Sequence, residues 1–237
     1  MLEYSVQPIE SYENAEIIQY VDEVAKRIVA EKGKKYEDEF ELGVIARYVF
    51  LPTFITAMNY KVCVEIGVDE ATLSKKLLKS NLEVLYCVDT WQDDFGSNIK
   101  PGSFFDKDGN IRLKKALNNL GDNYKKGRAI PLQMTSIEAA SKFSDESIDF
   151  LYVDGDHTLE GVYSDLKTWF PKVKVGGVLA GHDFKDGMNS GMTGYFGDQL
   201  FFRVKTAVTE YVHRYGHAVR QVGLEIKNWW FVKNRTY

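Results

Sequence analysis

Cysteine is scarce in this chain: only Cys63 and Cys87 occur among 237 residues. Each sits inside an apolar run that reads as a strand, without metal-ligand spacing, so buried free thiols are expected rather than a disulfide or a nucleophile. Long apolar runs are missing too, and none approaches the length of a membrane span. The opening MLEYSVQPIE lacks a basic n-region followed by an apolar stretch, so a cytoplasmic setting is the expectation. Nor is there a basic excess. The formal net charge is -4, which argues against nucleic acid as the main partner, because backbone phosphates need a basic face.

What is present is enough apolar content, 44%, to bury a core of ordinary size. The order of the chain suggests residues 1–60 as a helical segment packed on the same domain as residues 61–237. Ile17, Ile18, Val21, Val24, Ala25 and Ile28 recur at three and four, predicting an amphipathic helix over Glu13–Glu31. A second helix is expected over about Glu39–Phe50, ended by Pro52. Beyond it the period changes. Strands are expected at Val62–Ile66, Val84–Val88, Ala129–Leu132, Ile148–Val153 and Gly177–Gly181. The helices between them fall at about Glu70–Ser80, Arg112–Leu120, Ile137–Phe143 and Leu159–Phe170. This alternation is that of an α/β, Rossmann-like doubly wound sheet. The Gly-rich stretch Lys185–Phe202 reads as a lid loop, Val204–Tyr215 as a helix, and Val219–Val222 and Trp229–Val232 as two closing strands.

In an open parallel sheet ligands bind at the carboxyl rim of the strands, and the polar residues of this chain gather there. Glu65 ends the first strand, where a carboxylate could hold an ammonium or a hydroxyl. Gly67 follows, with no Cβ to keep backbone from a ligand. Asp89, at the tip of the next strand, stands where nucleotide-binding folds grip ribose hydroxyls. The fourth strand runs into Asp154, Asp156 and His157, and the fifth into His182 and Asp183. Were those strands neighbours, Asp154 and Asp183 could touch one ion, and His182 would broaden the choice from Mg²⁺ towards Mn²⁺ or other transition ions. Carboxylates crowded on one rim repel unless something cationic lies between them. Asp156 or His157 could take a proton from an acceptor hydroxyl. The competing reading for any of these groups is a helix cap or a loop hydrogen bond; His213 and His217 read as surface or helix-end residues.

The runs VEIGVDEATLS, YCVDTW and SIDFLYVDGDHTLEGVYSDLKTWFPKVKVGGVLAGHDF resemble the class I S-adenosylmethionine-dependent methyltransferases. The likeness is strongest to a small-molecule branch that includes metal-dependent O-methyltransferases of macrolide and aminocoumarin sugars. That resemblance implies a strand order 3-2-1-4-5 with an antiparallel edge pair, about seven strands in all, and a methyltransferase domain over residues 61–237. It also implies that Glu65 and Gly67 line the methionine end of the donor and that Asp89 binds its ribose. Thr135, Ser136 and Ile137 would form the adenine pocket. Asp154 would sit both at the donor and, with Asp183, at the metal; Asp156 matches the general base. Where the sugar enzymes carry two adjacent acids, this chain has His182-Asp183, so His182 joins the expected metal set of Asp154, His182 and Asp183.

The expected activity is O-methylation of a sugar or glycan hydroxyl, with S-adenosylmethionine as donor and a divalent cation, Mg²⁺ or Mn²⁺, assisting. Phe104, Phe105, Tyr195, Phe201 and Phe202 could stack on the acceptor. Alternatives are a metal-independent N- or O-methyltransferase of another small molecule, catechol-like or polyketide, and a non-catalytic ligand-binding domain. A homodimer is expected from the N-terminal helices or the aromatic tail.

Overall fold

Strand pairing puts the chain's polar rim in order. The computed structural model describes residues 46–91, 109–193, 199–217, 219–222 and 228–234, together with Gln19 and Glu23. The helix expected over Glu13–Glu31 lies outside these residues apart from Gln19 and Glu23, as do Phe104, Phe105 and Tyr195 of the expected acceptor walls.

Seven strands form one sheet: β1 (Val62–Ile66), β2 (Val84–Asp89), β3 (Ala129–Gln133), β4 (Ile148–Val153), β5 (Val173–Gly181), β8 (Arg220–Val222) and β9 (Asn228–Val232). Their order is β3-β2-β1-β4-β5-β9-β8. The five inner strands are parallel, and β9 and β8 add an antiparallel edge pair. The doubly wound sheet read from the alternation of elements is therefore the fold.

The strands bury both faces, as parallel strands covered by helices do. Cys63, Leu85, Phe150, Val178 and Trp230 point to one face. There they meet α1 (Leu51–Ala57), α2 (Thr72–Leu77) and α3 (Gly109–Leu120). Val64, Val88, Leu151, Leu179 and Phe231 point to the other. They pack on α5 (Ser136–Ala140), α6 (Leu159–Trp169) and α7 (Val204–Tyr215). The period of two along each strand divides its apolar residues between the two layers. A short helix, α4 (Asp122–Lys125), leads into β3. Both cysteines are free and buried, as expected. Among the described residues no helix is long and apolar enough to cross a membrane.

Two expectations are corrected. Pro52 does not end a helix: Ala46–Phe50 forms a π-helical turn that passes directly into α1, with the proline in the first turn of the new helix. A proline is tolerated there because first-turn N–H groups have no helical acceptor to lose. The stretch read as a lid loop contains a two-stranded hairpin, β6 (Asp186–Thr193) with β7 (Gln199–Arg203). Its base is anchored where Asp186 accepts from the backbone N–H and hydroxyl of Thr206 on α7. Gly-rich composition hid a strand pair that side-chain alternation did not announce.

Candidate active site

Register brings three strand tips together. Ile66 of β1 lies beside Val153 of β4, and Val153 lies beside Gly181 of β5. The residues just past these tips, Gly67, Asp154 and His182, therefore share one stretch of rim. Backbone bonds hold them: Asp154 N donates to Ile66 O (2.9 Å) and His182 N to Val153 O (3.2 Å). Gly67 has a positive φ of 79°. A Cβ on it would overlap the backbone carbonyl of Asp154. The missing side chain thus lets the β1 and β4 rims close on each other, a more local reason than the approach of a ligand.

At the β4–β5 tips four ionisable groups converge. His157 Nε2 lies 3.2 Å from Asp183 Oδ2 and 3.4 Å from Asp154 Oδ1. His182 Nδ1 lies 3.4 Å from Asp183 Oδ2 and 3.8 Å from Asp154 Oδ1. The His157 ring is stacked on Phe202 at the foot of the hairpin, centroids 4.6 Å apart. Its Nε2 is buried and forms no aligned hydrogen bond. Asp183 adopts a positive φ of 48°, a conformation that aspartate tolerates better than most residues and that turns its carboxylate into the cluster.

Electrostatics bind the group. Burial works against a charged imidazole at His157, but Asp154 and Asp183 outweigh it and push its pKa up to about 9. Burial likewise opposes the Asp183 carboxylate, yet His157 and His182 hold it well below the usual carboxylate range. Lys185 Nζ stands 3.8 Å from Asp183 Oδ1. On the far side, Arg47 Nη1 donates to Asp154 Oδ2 at 2.9 Å. The rim acids are thus compensated by cations of the chain itself, and the repulsion expected between them is relieved without an ion.

Asp156 stands apart. It is exposed, its Oδ1 accepts from the backbone N–H of Thr158 (2.8 Å), and its carboxyl group packs against Gly161 in the first turn of α6. No contact joins it to the cluster among those seen for the described residues.

The β1–β3 side of the rim is built differently. Glu65 is buried beneath it and accepts from the Ser74 hydroxyl at 2.5 Å. Burial pushes its pKa up to about 8 against the pull of that hydrogen bond. Asp89 accepts from the backbone N–H groups of Asp69 (2.8 Å) and Trp91 (2.7 Å), tying together the loops after β1 and β2. Thr135 caps α5 in a reciprocal box with Glu138. Ser136 turns inward, donating to Asp165 (2.5 Å) and accepting from Trp169 Nε1 (2.7 Å). Ile137 is left 47% exposed, an apolar surface on this part of the rim.

A family model described as "Methyltransferase domain" matches residues 64–184, just over half of the chain. The chain belongs to that methyltransferase family. It is an S-adenosylmethionine-dependent methyltransferase, and the matched span holds Glu65, Gly67, Asp89 and the whole Asp154–Asp183 cluster. Solved structures share its fold at low identity. One is a putative caffeoyl-CoA O-methyltransferase from Staphylococcus aureus (12% identical, TM-score 0.54, 94% of this chain and 100% of that one). Another is an O-methyltransferase from Bacillus cereus in complex with SAH (13%, 0.53, 96% and 94%). A third is a methyltransferase from Geobacter sulfurreducens (13%, 0.54, 97% and 99%). An uncharacterised protein of Sinorhizobium fredii is 28% identical over 103 residues, and the chain spans only about a tenth of that protein's length.

The donor set of the methyltransferase fits a metal ion. Asp154, His182 and Asp183 offer ligand atoms within 4.8 Å of one another. Two carboxylate oxygens and an imidazole nitrogen suit a first-row divalent ion better than Mg²⁺, which prefers oxygen alone.

Sequence reasoning missed Arg47 and Lys185, and Phe202 only as a stack for His157. Arg47 lies in a mainly apolar run, ARYVF, 107 positions from its partner. No local motif could announce that pairing.

Proposed function

We propose that the chain transfers the methyl group of S-adenosylmethionine to a hydroxyl of a sugar or glycan, with a divalent ion held by Asp154, His182 and Asp183. The observation that carries this reading is the cluster itself, set on the rim beside Gly67 at the reversal between β1 and β4. The donor would lie across β1 and β2, its methionine end near Glu65 and Gly67, its ribose at Asp89, and its base against Thr135, Ser136 and Ile137. A bound ion would fix an acceptor hydroxyl and make it more acidic. The chain's own task is alignment, since displacement at a sulfonium methyl requires nucleophile, carbon and sulfur in line.

Two groups could receive the hydroxyl proton. His157 has its Nε2 inside the cluster, and Asp156 stands at the surface two residues past Asp154. The position of its Nε2 between the Asp154 and Asp183 carboxylates favours His157, but as a base it must first lose the proton that the two carboxylates hold on it.

A metal-independent methyltransferase is the second reading, favoured by one observation: Arg47, His157 and Lys185 already balance Asp154 and Asp183. Incubating the purified chain with labelled donor and a panel of glycans, sugars, catechols and polyketides, with and without EDTA, separates the readings. Glycan labelling abolished by EDTA and restored by Mn²⁺ is expected. Undiminished labelling in EDTA would remove the ion from the reaction, and failure to bind S-adenosylhomocysteine would remove the donor.

A further inference from the structure

The two oxygens of Asp154 face different partners, as do those of Asp183. Asp154 Oδ1 looks towards His157 and His182, while its Oδ2 takes the Arg47 guanidinium. Arg47 is itself fixed. Its Nη2 donates to Tyr48 Oη at 2.8 Å, and its guanidinium carbon stands 4.9 Å from the centre of the Tyr48 ring. The turn that carries it, Ala46–Phe50, is π-helical, a widened turn that nature places preferentially at functional sites. Phe50 at its end and Leu51, Phe54 and Ile55 just after it are buried in the core, so the arginine rides on a well-anchored support.

A carboxylate that is free to turn can bind an ion through one oxygen or two, or leave it altogether. One clamped by a guanidinium presents a single oxygen in a fixed direction, which is how partners outside the ligand shell tune a metal site. The planar fork of arginine imposes that direction, which a lysine ammonium, a point charge, does not.

Resting on the metal-assisted reading above, we infer that Arg47 is a positioning residue of the site: it holds Asp154 through Oδ2 so that Oδ1 alone faces the ion. The segment ahead of the sheet, outside the span that the family model matches, thereby completes the site. The opposite role makes an opposite forecast. An arginine that merely stands in for the metal's charge would compete with it, and its removal would strengthen metal binding.

The test is titration of the full chain with Mn²⁺, followed by calorimetry and by the electron paramagnetic resonance signal of the free ion. S-adenosylhomocysteine binding and thermal melting serve as controls of folding. Arg47→Ala is expected to weaken Mn²⁺ binding by about tenfold or more, to leave S-adenosylhomocysteine binding within a few-fold, and to regain Mn²⁺ affinity on addition of guanidinium ion but not of ammonium. Arg47→Lys, which keeps the charge and guards against a variant that does not fold, is expected to lose most of the same affinity. Unchanged or tighter Mn²⁺ binding in either variant overturns the positioning role while leaving the metal reading intact. Absence of Mn²⁺ binding by the unaltered chain overturns both.

Discussion

The two halves of the rim hold their carboxylates by different means. On the β1–β3 side Asp89 is satisfied by backbone N–H groups and Glu65 by a hydroxyl of the adjoining helix. On the β4–β5 side Asp154 and Asp183 are held by imidazole, guanidinium and ammonium groups from three separate parts of the chain. The first arrangement is preformed by hydrogen bonds to backbone and a neighbouring hydroxyl. The second is a balance of ionised side chains that protons, metals or a docked segment can shift. Under the proposed function the donor lies against the first arrangement and the acceptor against the second.

Removing an acid from the ionic half gives the sharpest test of this contrast. Asp183→Asn is expected to lower methyl transfer by about 100-fold or more, the scale of losing a group that orients reacting partners, while S-adenosylhomocysteine affinity by calorimetry stays within a few-fold. A comparable loss of donor affinity would show that the halves are not separable.

Gly67 sits on the seam between them. Gly67→Ala combines a left-handed backbone position with overlap on the Asp154 carbonyl, so a loss of about 2–3 kcal/mol is expected from thermal or urea unfolding. Stability within about 0.5 kcal/mol of the parent, the range of an ordinary surface change, would mean that the rims need not meet so closely.

The pH response should divide along the same line. His157 has its pKa raised in the folded chain, so its favourable ion pairs are fully present below its unfolded value near 6.5 and are lost as pH rises towards about 9. Glu65 is an acid with a raised pKa: it is protonated in the fold and charged in the unfolded chain between its ordinary value of 4.5 and about 8, so it also weakens the fold as pH rises through that window. Replacing His157 by Gln should flatten the decline mainly between pH 6.5 and 9, and Glu65→Gln mainly between pH 4.5 and 8. Urea unfolding at a series of pH values reads both, and the same window in the two variants would contradict the assignment.

The smallest effect expected lies beneath the β1–β2 side. Burial raises the thiol pKa of both Cys63 and Cys87. Neither should be alkylated by iodoacetamide in the folded chain at pH 8, as followed by intact-mass spectrometry; rapid labelling would reveal an opening of that layer.

The sequence alone determined the alternation of elements, because each parallel strand carries its own apolar run and each helix its own period. It also located the acids at strand ends, since a rim residue is the first polar group after such a run. The Gly67 turn is legible for the same reason, although the Asp154 carbonyl that requires glycine there belongs to the end of another strand. Tertiary structure decided the rest. Whether Asp154 and Asp183 face one another depends on β4 pairing with β5, and the salt link from Arg47 depends on a segment folded back over 107 positions. Phe202 reaches His157 only because a Gly-rich stretch forms a hairpin. Local spacing encodes which groups stand on the rim and some of their partners, such as His157 beside Asp154; the links that join the two strand tips and bring in Arg47 come from far along the chain, where no period or motif announces them.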